Sequence, residues 1–311
     1  MLDTTRARVR SLSPERKGLL LQRVQTFIER PAVPAWSPVT PLQPNPGSPP
    51  IYFIHPMGSA LFFYLPLLNY LGRHYNLYGI QGHGLYEGQQ ALDSISAMAS
   101  CYIAAIQAHQ PHGPYHLVGY SMGGLIAFEI AQQLQRAGEQ IGLLALLDSY
   151  AFTKRIPFPG QEIKDEDERL LRRLALSLDA AQARQLRSVL KPMRSPAEQL
   201  DYVIQLAKQA GRVPANYGVN DLRRMFDAYD AHLTAVETYR PQPYADQLFF
   251  FQCQDTSDTD SIPALSWHKL APHGLVHQRV AGKHSTMMNE PHVQGLAQQL
   301  RQALRRVGVE S

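Results

Sequence analysis

The sequence predicts an α/β fold, a mostly parallel central sheet with helices on both faces and a helical insertion late in the chain. Three observations carry that expectation. From residue 51 onward, short apolar runs alternate with segments of helix length. One junction between such a run and a helical stretch contains Gly119-x-Ser121-x-Gly123. Between about 152 and 245 the alternation stops, and helical patterns follow one another with no convincing strand between them.

The chain opens with a helical pattern in which Ser13 can cap, Pro14 can take the first helical position, and Leu20, Val24, Phe27 and Ile28 share one face. Eight prolines then fall between 31 and 50. That density forbids a regular helix or central strand and favours an extended, semi-rigid tether. Residues 1–50 therefore read as a helical segment and linker, and 51–311 as the main domain. Expected strands are Ile51–Ile54, Leu77–Ile80, Tyr115–Gly119, Leu143–Leu147, Leu248–Gln252 and Leu275–Val280. Ile95, Met98, Tyr102 and Ile106 make one helical stripe that Pro111 ends. Leu125, Phe128, Ala131 and Leu134 make another, closed by Gly138.

In the insertion, stripes at Leu170–Leu171–Leu174, Leu186–Leu190, Leu200–Val203–Leu206 and Leu222–Met225–Phe226–Tyr229 predict helices. Asp165, Asp179, Ser195 and Asn220 are their candidate starts. The insertion is expected to lie over the carboxyl ends of the strands, where α/β ligands bind.

A hydrophobic fraction of 44% and a charged fraction of 18% suit a globular enzyme. The net charge of +4 is scattered, which points away from nucleic acid and is compatible with an acidic protein partner. Cys101 and Cys253 lie far apart without His or Cys at ligand spacing, so buried free thiols are expected rather than a disulfide framework or zinc site. Residues 1–30 lack an apolar core between their charges, and no run reaches the length of a membrane span, so the cytoplasm is the expected compartment. P-loop and H-E-x-x-H patterns are missing, and Gly79-x-x-Gly82-x-Gly84 has the wrong spacing for a dinucleotide loop.

The chemistry gathers around Ser121. G-x-S-x-G between a strand and a helix is a nucleophile elbow, in which small neighbours permit a sharp turn that exposes the hydroxyl. This makes the expected fold an α/β-hydrolase, with Met122 N–H at the helix start as one oxyanion donor. A serine hydroxyl needs a base, and the order Ser…Asp…His of this fold confines it to histidines after the elbow. His284, in the Gly-containing loop Val280-Ala-Gly-Lys-His-Ser-Thr, is the candidate, with His273 as runner-up. Two aspartates compete for the acid. Asp148 ends a buried strand, a costly place for an unpartnered carboxylate, and is preferred; Asp255 lies in a polar run and remains the alternative. The second oxyanion donor should come from the loop Ile54-His-Pro-Met-Gly. Pro56 has no N–H, so Met57 is the candidate, with His55 shaping the loop. Tyr202, Tyr217, Phe226 and Tyr229 are candidates to line a substrate chamber, although aromatic residues at helical spacing more often belong to a core.

Four segments in this order, His-Pro-x-Gly at 55–58, Gly-Tyr-Ser-Met-Gly-Gly at 119–124, Leu-Leu-Asp-Ser at 146–149 and Gly-Lys-His-Ser at 282–285, resemble the thioesterase domains of nonribosomal peptide synthetases and polyketide synthases. The resemblance covers roughly 50–305. It implies Asp148 as the acid, since an aspartate after the strand following the elbow helix is a habit of that family, and a lid at about 152–245. It also implies an acyl or peptidyl substrate carried on the phosphopantetheine arm of a partner carrier protein, with no cofactor bound by this chain itself. Ser121 would form an acyl-O-serine intermediate, released by water, an internal nucleophile or an external one. An upstream synthase or synthetase module would be the further partner, and the segment Leu12-Ser-Pro-Glu-Arg-Lys resembles connecting segments of such synthetases. Either a discrete enzyme or an excised terminal domain fits, with oligomeric state open. A lipase or esterase acting on free esters, and an acyl-binding scaffold without turnover, are the competing readings.

Overall fold

The computed structural model describes residues 36–151, 195–209, 215–255 and 267–309. The chain divides into two compact units, Met1–Ser37 and Pro38–Ser311, and every element below belongs to the second. The helices expected in residues 1–30 and behind Asp165 and Asp179 lie outside the described residues.

Seven strands form one sheet: β1 (Val39–Gln43), β2 (Pro50–Ile54), β3 (Asn76–Ile80), β4 (Tyr115–Tyr120), β5 (Ile141–Leu147), β6 (Leu248–Cys253) and β7 (Leu275–Val280). Their order is β1-β3-β2-β4-β5-β6-β7, with β1 antiparallel to β3 and every other pair parallel. β2 through β7 fall on the six runs expected from the sequence. β1 is a correction, because it lies in the proline-rich stretch expected to be a tether. Its register slips between Pro41 and Gln43, and among the described residues its only neighbour is β3. A proline without an N–H is tolerated at such an edge and not in a central strand.

Alternation along the strands separates two apolar layers. Tyr52, Ile54, Leu144, Leu146, Leu248 and Phe250 point to one face, where they meet α2 (Ile95–His109) and α3 (Met122–Arg136). Ile51, Phe53, Leu143, Leu147, Phe249 and Phe251 point to the other, against α1 (Leu65–Leu71) and α6 (His292–Arg306). Both faces are dry, so these strands read as continuous apolar runs rather than polar–apolar alternations. Cys253 is buried as expected, whereas Cys101 is only half-buried, with Sγ 3.3 Å from His83 Nε2.

The described part of the insertion contributes α4 (Pro196–Gln209) and α5 (Val219–Thr238). Ser195 Oγ accepts the Glu198 N–H at 3.5 Å, consistent with its expected capping role. At α5 the expected cap Asn220 gives way to Gly218, whose N–H donates to Asp221 Oδ2 at 2.7 Å. The Asp221 carboxylate in the first turn accepts the N–H of the cap residue rather than one of the helix's own free N–H groups, and it suits the positive end of the helix dipole.

The chain runs from β2 outward to β3, then crosses to the other side of β2 for β4 and everything after it. The carboxyl ends of β2 and β4 therefore face a crevice at the switch point, and the loops leaving them diverge around it. Leu146 lies in the middle of this arrangement, fully buried on β5 between Gly119 and Phe250. Leu146→Ala should cost about 2–5 kcal/mol. In urea denaturation the midpoint should fall while the slope is retained.

Candidate active site

The junction of β4 and α3 is a single residue. Ser121 has φ 56° and ψ −126°, and its N–H is held by the Leu147 carbonyl at 2.9 Å. Three glycines make the turn possible. A Cβ on Gly119 would overlap the Gly123 carbonyl, one on Gly123 would overlap the Ile54 carbonyl, and one on Gly124 would strike the Ser149 side chain. Ser149 Oγ also donates to the Ser121 carbonyl at 2.6 Å, tying the turn to the end of β5. Among the described residues, the non-glycine positions with positive φ are Ser59, Ser121 and Asp148, all in loops at the carboxyl ends of parallel strands. Strain of this kind costs about 1–3 kcal/mol per residue and persists where the surroundings over-determine it.

From Ser121 a hydrogen-bonded chain runs inward. The Oγ–H donates to His284 Nε2 at 3.1 Å, and His284 Nδ1–H donates to Asp148 Oδ2 at 2.7 Å. The imidazole is 39% exposed and the carboxylate 1%, so the ring can meet a ligand while the acid cannot. Asp148 Oδ1 accepts the Cys253 N–H at 3.0 Å, and Oδ2 also accepts from the Tyr150 hydroxyl at 3.2 Å. Burial pushes the Asp148 carboxyl up. The hydrogen bond and charge of His284, followed by the Cys253 and Tyr150 donors, outweigh burial and hold it below its ordinary value.

The rival candidates fall elsewhere. Asp255 is exposed and its N–H donates to the Gly282 carbonyl at 3.2 Å. His273 is exposed in the turn before β7, at the amino end of a strand, whereas Ser121 leaves the carboxyl end of its own.

The loop after β2 borders the same crevice. The His55 N–H donates to Ile80 O at 3.0 Å and the Ser59 N–H to Pro56 O at 3.3 Å. The Gly58 N–H donates to His232 Nδ1 at 3.2 Å. Pro56 lacks a donor, and between His55 and Ser59 the Met57 N–H is the one with no acceptor among the described residues. Met122 begins α3, so its N–H has no acceptor within the helix. His55 is fully buried and does shape the loop: Nδ1–H donates to Pro56 O at 2.8 Å, and Nε2 accepts from the Tyr102 hydroxyl at 2.7 Å. Burial drives its pKa down from 6.5 to about 4, keeping the ring neutral near neutral pH.

The four aromatic candidates are divided. Tyr202, Tyr217 and Phe226 are half-buried against the small Leu200–Val203–Ile204–Leu222 cluster of the insertion, and Tyr217 also meets Phe62 edge-on at 6.2 Å. Tyr229 lies beside the loop after β2, close to where a Cβ on Gly58 would stand. The sequence reading missed Tyr120, whose ring stacks on His284 at 5.0 Å and whose hydroxyl donates to the His284 carbonyl at 2.5 Å. Tyr150 and His232 were missed as well. Tyr120 and Tyr150 adjoin the elbow and the strand-end aspartate in sequence, which was the available signal; His232 had none.

A mostly parallel sheet of this order, a strand–serine–helix elbow and a Ser–His–Asp chain of contacts define an α/β-hydrolase. The profile of the thioesterase domain family matches residues 49–304, and the chain belongs to that family. A dimodular nonribosomal peptide synthase of Bacillus subtilis is 28% identical over 214 residues, covering 68% of this chain and 8% of its own length. An atromentin synthetase of Paxillus involutus is 26% identical over 282 residues, covering 88% of this chain and 29% of the relative. The chain thus spans less than a third of these curated relatives. Among solved structures, a four-domain nonribosomal peptide synthetase bound to AMP and glycine is 30% identical with a TM-score of 0.67, over 90% of this chain and 21% of that one. The Vlm2 thioesterase domain, 22% identical, superposes with a TM-score of 0.65 over 85% of this chain and 96% of its own.

No helix among the described residues is long and apolar enough to cross a membrane, and no cluster of His, Cys, Asp or Glu among them could hold a metal ion.

The buried imidazole of His55 sets an acid limit on stability. Between its folded pKa of about 4 and its ordinary 6.5, the unfolded chain binds more protons at this position, so stability rises with pH and is lost on acidification. The shift corresponds to roughly 3 kcal/mol. Urea titrations at pH 7, 5.5 and 4 should show that loss, with a shallower dependence on pH in His55→Phe.

Proposed function

We propose that this thioesterase releases an acyl or peptidyl chain from the phosphopantetheine thioester of a carrier protein through an acyl-O-serine intermediate on Ser121. One observation carries the reading: Ser121, His284 and Asp148 stand in hydrogen-bond contact at 3.1 and 2.7 Å within a chain of the thioesterase family. In the first half-reaction Ser121 Oγ attacks the thioester carbonyl as its proton passes to His284 Nε2. Asp148 holds the ring in the Nδ1–H tautomer and stabilises the imidazolium. The N–H groups of Met57 and Met122 receive the oxyanion. Collapse breaks the carbon–sulfur bond, and His284 returns the proton to the departing thiol. In the second half-reaction water, or a hydroxyl or amine of the substrate, loses its proton to His284 and attacks the acyl-serine; the acyl–Oγ bond then breaks, His284 returns the proton to Ser121 Oγ, and hydrolysis or cyclisation results.

Carrier-protein delivery is supported by the synthetases among the relatives and by the net charge of +4, which suits an acidic partner. The upstream module would supply that carrier. Helices α4 and α5, within the insertion at 152–245, act as the lid in this reading, and the contact of α5 with the loop after β2 supports it.

A fluorophosphonate probe should label the wild-type chain and fail on Ser121→Ala. Asp148→Asn should slow labelling about a thousandfold or more, because the wrong tautomer meets the serine. Asp255→Asn should label at close to the wild-type rate, and the reverse order of the two aspartates would overturn the acid assignment. Carrier proteins loaded with candidate acyl chains should lose them to the enzyme, with product identified by mass spectrometry. Turnover of free esters without release from any carrier would instead favour a lipase or esterase.

A further inference from the structure

Helix α5 reaches the loop after β2 with one face. Met225, Tyr229 and His232 recur at spacings of four and three, which puts them on one side of the helix. All three converge on Gly58. A Cβ there would stand 3.3 Å from Met225 Cγ and 3.9 Å from Tyr229 Cδ2, and the Gly58 N–H donates to His232 Nδ1 at 3.2 Å. Gly58 has φ +86°, so the loop turns at the residue the helix holds. His232 is 1% exposed and its ring stacks on that of His55 at 5.3 Å and 26°. On its other side His55 is fixed by Tyr102 of α2. The loop carrying Met57 is thus gripped by α5 at Gly58 and by the α2 side through His55.

An apolar side chain would fill the same space at position 232, so packing alone does not account for an acceptor there. The buried Gly58 N–H needs one, and only a neutral imidazole with its proton on Nε2 can supply it through Nδ1. Burial, followed by the neighbouring His55, holds His232 well below its ordinary pKa and keeps the ring uncharged.

We propose that His232 is a positioning residue for the reaction: by accepting the Gly58 N–H it fixes the loop that presents the Met57 N–H, so that the seating of α5 sets the oxyanion site. The proposal rests on the oxyanion role assigned to Met57 above. It makes the second oxyanion donor conditional on a helix of the insertion, some 174 residues away in sequence.

The test uses the full chain and a fluorophosphonate probe, whose attack by Ser121 develops negative charge on the phosphoryl oxygen and needs no knowledge of the natural acyl group. His232→Leu keeps volume and removes the acceptor. Its limiting labelling rate should fall about ten- to a hundredfold while the probe's apparent binding constant is unchanged. His232→Asn returns an acceptor oxygen near the Nδ1 position and should recover to within about threefold of wild type. A purely structural role would lower the melting temperature of both variants and leave the limiting rate alone. Wild-type labelling by folded His232→Leu, or equal slowing in the Leu and Asn variants, overturns the proposal. Should His232→Leu fail to fold, His232→Gln replaces it, since its acceptor is carried past the Gly58 N–H and the same slowing is expected. Met57→Pro removes the donor itself. If that variant labels normally, the oxyanion reading fails; if it is slow while His232→Leu is normal, only the coupling to α5 fails.

Discussion

The backbone at Ser121 is bent into a conformation that L-amino acids rarely adopt, and much of the surrounding structure serves to hold it there. β4 arrives with every residue buried, α3 departs within one residue, and the strand N–H ladder continues through the serine to Leu147. The glycines at 119, 123 and 124 let carbonyls and a serine side chain close to within contact of the turn. Relaxing the bend would require β2, β4, β5 and α3 to move together. Because interiors are close-packed, a distortion costing about 1–3 kcal/mol is sustained by contacts spread across two apolar layers.

The same packing explains the carboxylate of Asp148. Asp148 is buried at the end of β5 with a positive φ of its own, and an unpartnered carboxylate there would be costly. It survives because β6 offers the Cys253 N–H, the next-but-one residue offers a hydroxyl, and the loop after β7 brings His284. Tyr120 then holds His284 by stacking on its ring and by donating to its carbonyl, so that a residue of the elbow strand orients His284 as well as Ser121. Ser121, Asp148 and His284 come from three different strand ends; backbone groups hold the first two, through Leu147 and Cys253, and side chains hold His284.

Two buried, neutral imidazoles pack behind the loop after β2. His55 and His232 stack away from water, one rooted in the sheet and the other in α5, and each spends a ring nitrogen on the loop between them. Histidine suits this because one ring nitrogen donates while the other accepts, and burial keeps the charge off. Placing such a pair beside the loop ties its geometry to that of the insertion.

Much of this was legible in the sequence wherever local pattern decides. Strands buried on both faces appear as unbroken apolar runs such as Leu248–Gln252, and a G-x-S-x-G between a strand and a helix fixes the elbow, since only small residues fit that turn. Asp148 could be favoured over Asp255 from burial cost alone. What local pattern could not supply was contact between distant segments. β1 was hidden because eight prolines argue against a strand unless it lies on an edge, and edges are defined only once the sheet is assembled. Tyr120 and His232 look like ordinary members of a strand and a helix until the chain folds and brings His284 and Gly58 to them. The sequence determined the fold class and the chemical groups of the site. Only tertiary packing decided which backbone and side-chain partners hold those groups, because a hydrogen bond between residues more than a hundred positions apart leaves no periodicity to read.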